Sequence, residues 1–188
     1  MQSRERILNE IKLAKPSTAA IDISVVNGIK YPNRTQQFVK VLTAIGGKVK
    51  EFVNETTALD YLNNEVFSGE NEIVVLANEK LQTSIIDLYN VDIALIRGGV
   101  AVAENGAIWV PEKNMGNRVL PFSCKQLIII IEEEHIVHNM HEAYELINIE
   151  DDGYGVFIAG PSKTADIEQS LVIGAHGAID FLAIIINE

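Results

Sequence analysis

Glu104 stands before Asn105-Gly106, a dipeptide that favours tight turns. A carboxylate on such a turn lies beside backbone amides and a glycine that admits a ligand. That setting suits a covalent nucleophile or a general base. The plain alternative is a solvated charge flanking a hairpin. An anionic substrate also needs a donor, and Arg97, Arg118 and Lys163 fall on expected loops or strand ends. Arg97 closes an apolar run just before Gly98-Gly99, and its planar fork suits a carboxylate. Each of these cations competes with a reading as ordinary surface charge.

The most distinctive stretch is Gly160-Pro161-Ser162-Lys163-Thr164-Ala165-Asp166-Ile167-Glu168-Gln169, closed by Gly174-Ala175-His176-Gly177. Its glycines and Lys-Thr pair suggest a phosphate loop, but that motif needs its lysine directly after the last glycine. Asp166 and Glu168 would sit in the first turn of a helix over 164–173, opposing its dipole and competing with phosphate. Read bare, the stretch is a strand-to-helix turn capped by Ser162 or Thr164. His176, between small residues, is a polar site residue or a loop filler. His135, His138 and His141 repeat every third position beside Glu132, Glu133 and Glu134. On one helix these rings spread over about 120°, too wide to converge on a metal unless His135 precedes the helix. They are weak metal candidates, and no metal is expected.

The elements that must carry these residues alternate in period. Apolar runs at 48–53, 72–76, 92–96, 127–131, 155–159 and 181–186 have the length of strands, several apolar at consecutive positions as in a sheet covered on both faces. Helical spacing recurs at 36–45, 57–67, 138–147 and 164–173. Repeated strand–helix units predict an α/β fold, a mostly parallel sheet sandwiched by helices. Asn105-Gly106 between apolar runs adds a small antiparallel excursion in mid-chain. A single domain of residues 1–188 is expected, opening with an amphipathic helix over about 3–15.

Composition removes other classes. With 15 basic and 26 acidic residues the net charge is −11, which opposes the clustered cations that nucleic-acid binding needs. A 47% hydrophobic chain of 188 residues has enough material for one core without staples. No apolar run approaches the length of a membrane span. The one cysteine, Cys124, makes no intrachain disulfide and holds no iron–sulfur cluster, so a reducing, cytoplasmic setting is expected.

Three stretches resemble the LUD domain, the family of lactate-utilisation protein C. Gly160-Pro161-Ser162, Thr164 to Glu168 and Gly174-Ala175-His176-Gly177 match its C-terminal signature. Ala103-Glu104-Asn105-Gly106, after Arg97-Gly98-Gly99-Val100, is similar to its Ala-Glu-Thr-Gly turn, with Asn105 where threonine is usual. Pro121 ahead of the 127–131 run resembles its proline before a very apolar strand, although 122–126 do not align. The resemblance spans 93–188 and implies the fold of ribose-phosphate isomerases, glucosamine-phosphate deaminases and CoA-transferases. It implies a component of a multi-protein L-lactate (2-hydroxy acid) utilisation system, oxidising lactate to pyruvate. Iron–sulfur clusters would belong to partner subunits and none to this chain. A small anionic metabolite would meet Arg97, Asn105, Gly106, Gly160, Ser162, Lys163, Thr164 and His176 beyond the carboxyl ends of the strands. Self-association is compatible with this picture. Some CoA-transferases of the superfamily place a nucleophilic glutamate in a Ser-Glu-Asn-Gly turn, which Glu104-Asn105-Gly106 matches in part. The competing expectation is therefore a stand-alone CoA-transferase-like or sugar-phosphate enzyme using Glu104.

Overall fold

The Ile-rich runs pair into one parallel sheet. In the computed structural model, which describes residues 3–14, 28–67, 74–77, 88–165, 171–173 and 177–187, five strands build it. They are β1 (Lys48–Phe52), β2 (Val74–Leu76), β3 (Ile93–Arg97), β6 (Gln126–Glu132) and β11 (Asp180–Ile186), in the order β1-β11-β6-β3-β2. Every neighbouring pair is parallel. Consecutive residues along β3, β6 and β11 are buried on opposite faces. Ala94, Ile96, Ile129, Phe181 and Ala183 enter one core, and Leu95, Ile128, Ile130, Leu182 and Ile184 the other. Each such aliphatic side chain contributes about 1.5–3 kcal/mol by leaving water.

The two faces have different covers. On one lies α3 (Glu55–Tyr61), continued by a π-helical turn (Leu62–Val66), which buries Ala58 and Leu62. Asn54 caps α3, its side-chain oxygen accepting the Thr57 N–H at 3.0 Å. On the other lie Phe38 and Leu42 of α2 (Arg34–Ala44) and a second sheet of order β7-β4-β5-β8. This sheet comprises β4 (Val100–Val102), β5 (Ala107–Pro111), β7 (Ile136–Val137) and β8 (Gly155–Ile158). Its inner residues Ala101, Ile108 and Val110 join the core. Its outer residues Val100, Val102 and Trp109 pack with Ala143 of α5 (Met140–Leu146). Short helices α4 (Leu120–Ser123) and α6 (Ile149–Asp152) complete the connections.

The α/β fold with a mostly parallel sheet is as expected, with three corrections. The antiparallel excursion is a separate four-stranded sheet that replaces helices over much of one face. The 155–159 run belongs to that sheet, antiparallel to β5, because an apolar run fits any doubly covered sheet equally well. In place of a helix over 164–173, β9 (Lys163–Ala165) and β10 (Leu171–Ile173) pair antiparallel, with Thr164 opposite Val172. Here backbone pairing of two short strands takes the place of a helical spacing. Residues 166–170, with Asp166 and Glu168, lie outside the described residues. The amphipathic helix is present as α1 (Ser3–Leu13), but none of its residues is buried.

Candidate functional site

The carboxyl ends of β2, β3 and β6 open onto a cavity of about 410 Å³. Leu59, Leu76, Leu95 and Ile130 form its aliphatic wall, and Glu55, Arg97 and Asn114 its polar one. Arg97 ends β3. Its Nη1 donates to Glu132 Oε1 at 3.2 Å and its Nη2 to Glu55 at very short range, all three side chains being partly exposed. Asn114 Nδ2 donates to the Arg97 carbonyl at 2.9 Å and holds the strand end. The chain can then cross to the second sheet only through glycine, since a Cβ on Gly98 would stand 2.6 Å from Ile108 Cγ2.

The Glu104 turn lies elsewhere. Gly106 has φ +71° and presses on α2, where an added Cβ would come within 3.1 Å of the Leu42 backbone. Asn105 Oδ1 accepts the Ala107 N–H at 3.0 Å, closing the turn. Glu104 is exposed, and its Oε2 accepts the Met140 N–H at 3.1 Å, at the start of α5. The carboxylate thereby supplies an acceptor and negative charge to a helix start. Asn139, buried, caps the same helix through the Glu142 N–H at 3.1 Å.

The Gly160 segment seats on the same helix end as the Glu104 turn. A Cβ on Gly160 would meet Ile45 at 3.4 Å, and Lys163 Nζ lies 3.7 Å from where a Cβ of Gly46 would stand. A cation there opposes the negative end of α2, worth about 0.3–1 kcal/mol. Ser162 N–H donates to Ala178 O at 2.9 Å. With Gly160, Gly177, Pro121 and Phe122, Ser162 lines a second cavity of about 240 Å³. Gly46-Gly47 leads directly into β1, so this assembly lies at the amino ends of the strands, where Lys48 pairs with Asp180 at 2.6 Å.

Comparison with known proteins bears on this architecture. The LUD domain family model matches residues 65–186, the stretch that holds the described strands from β2 to β11. This chain belongs to the LUD domain family. Lactate utilization protein C of Geobacillus kaustophilus is 30% identical over 139 residues, covering 69% of this chain and 57% of that protein. The protein of the same name in Bacillus pumilus is 32% identical over 93 residues, 46% of this chain and 39% of that one. A crystal structure of a DUF162 family protein from Deinococcus radiodurans superposes with a TM-score of 0.61 at 16% identity, covering 85% of this chain and 99% of that one. The chain thus spans about 57% of the length of the first of the curated relatives.

Within this LUD domain the expected site residues divide. Asn105, Gly106, Gly160, Ser162 and Lys163 gather around the end of α2 and the amino ends of β1 and β11, whereas Arg97 stands at the carboxyl ends. Thr164 is described only as backbone of β9, and His176 lies outside the described residues. Arg118 is bound at 2.9 and 2.7 Å to both oxygens of Glu112 and lies over the Tyr154 ring. Its pKa is raised above the usual guanidinium value, chiefly by the bond to Glu112. The expected metal candidates also separate in role. His138 Nδ1 accepts the Tyr31 N–H at 3.0 Å, His135 lies in a 3₁₀ turn, and His141 is in α5. Among the described residues, no group of three or more His, Cys, Asp or Glu is placed to hold a metal ion. Glu55, Glu132 and Asn114 were not expected at a site. Asn54 before Glu55 signals a helix start, but nothing in the sequence brings that start to the end of β3.

Proposed function

We propose that this LUD domain is a component of an L-lactate (2-hydroxy acid) utilisation system. It works in the cytoplasm with iron–sulfur partner subunits while the assembly oxidises lactate to pyruvate. The observation that carries this reading is the 30% identity over 139 residues to proteins named lactate utilization protein C. The cysteine content supports placing iron–sulfur clusters in partners rather than in this chain. Oxidising lactate to pyruvate releases two electrons and two protons, and the one cysteine is buried, its thiol pushed up to about 12 by burial. A thiol held protonated is neither a cluster ligand nor a redox relay at neutral pH. On this reading the partners supply the cluster ligands, and this subunit supplies a folded scaffold.

Deleting the gene is expected to abolish growth on L-lactate and leave growth on glucose intact. Affinity purification of the tagged chain should recover cysteine-rich iron–sulfur proteins, while the chain purified alone is colourless and free of stoichiometric iron. Normal growth on L-lactate with no such partner recovered overturns the reading.

A further inference from the structure

The cavity at the carboxyl edge of the parallel sheet has more room and more aliphatic wall than lactate would use. We propose that it binds a monocarboxylate with an aliphatic body, the ligand carboxylate replacing Glu55 on Arg97 and the body covering Leu59, Leu76, Leu95 and Ile130. The place is where open α/β sheets take ligands, outside the carboxyl ends of neighbouring parallel strands. Arg97 is the cation among the described lining residues, and its fork already holds two carboxylates, those of Glu55 and Glu132. A cationic ligand would have to take the position the guanidinium fills between them. A second ligand carboxylate would face Glu132 or the aliphatic wall.

Exchange on Arg97 is easy because the Glu55 pair is half exposed, 47% and 44% for the two side chains, and water screens such pairs strongly. The driving force comes from the wall. Leu76 is 50% and Leu59 38% exposed, so an aliphatic chain laid on them removes apolar surface from water. Size argues the same way. Lactate has six heavy atoms, less than about 180 Å³ even at water's liquid share of about 30 Å³ each, against a cavity of about 410 Å³. Binding here is independent of the growth phenotype proposed above, so either reading can fail without the other.

Calorimetric titration of the purified chain with acetate, L-lactate, hexanoate and 1-hexanol tests the site. Hexanoate is expected to bind at least about tenfold more tightly than acetate, lactate or hexanol. Arg97→Gln should weaken hexanoate about tenfold or more, while Glu55→Gln should strengthen it several-fold by freeing the fork. Leu59→Asp should weaken hexanoate and leave acetate unchanged. All three substitutions fall on partly exposed side chains, and a thermal melt checks that each variant is folded. Lactate binding as tightly as hexanoate, hexanoate failing to bind the folded chain, or Glu55→Gln leaving its affinity unchanged or lower overturns the proposal.

Discussion

Cys124 shows how burial alone decides a side chain's chemistry. Its thiol is 2% exposed and is pushed up from 9.0 to about 12 by desolvation. In the native protein it should resist thiol reagents at pH 8 and react only after unfolding. The shift also acts on stability. Above about pH 9 the unfolded chain loses this proton while the folded chain keeps it until about 12. Stability therefore falls as pH rises through that window, by at most about 1.4 kcal/mol per pH unit. Urea titrations from pH 8.5 to 10.5 should reveal a slope that Cys124→Ala reduces. Glu104 is a second case. Its type and its turn were readable in the sequence, but its partner, the Met140 N–H, lies on a helix brought near only by the second sheet. Glu104→Ala should cost about 0.5–1 kcal/mol in urea melts, and Glu104→Gln less, because the amide retains an acceptor.

Strands and helices were readable where one periodicity had no rival. The Ile-rich runs at 127–131 and 181–186 became β6 and β11, and the spacing of Phe38, Val41, Leu42 and Ile45 became α2. Reading failed where local pattern and tertiary pairing disagreed. Helical spacing over 164–173 lost to the β9–β10 pair, and the 155–159 run carried no mark saying which sheet it joins. Its first residue holds the information in another form. A Cβ on Gly155 would stand 2.1 Å from the Trp109 ring, because β8 lies against that ring in the second sheet. Gly155→Ala should destabilise the fold by about 1–3 kcal/mol through overpacking and shift the fluorescence of Trp109, the chain's one tryptophan. The site was harder to read than the elements. Arg97 could be picked out as a cation at a strand end. Glu55 and Glu132 could not be joined to it, since their meeting depends on which strand follows which across the sheet.

Across the whole molecule the layers run α3, parallel sheet, second sheet with α2, then α5, so both faces of each sheet meet packed side chains. Helix α1 stands apart from this count. None of its residues is buried, and Ile7, Leu8, Ile11 and Leu13 are 42–86% exposed. Removing residues 1–14 should leave unfolding stability within about 0.5 kcal/mol of the full chain, measured by urea denaturation.

The strand order carries a consequence for biosynthesis. Among the described strands of the parallel sheet β1 pairs only with β11, Lys48 lying opposite Leu182, and β11 also separates β1 from β6. Until residue 186 has left the ribosome, β1 has no sheet to join. Val49 and Phe52 of β1 therefore wait for their neighbouring strand while more than 120 residues are added, at about 5–20 residues per second. Long-range parallel pairing is also slow to form. The closure of the parallel sheet around β11 should thus be a late step of folding, and a nascent chain halted before residue 180 a client of holding chaperones.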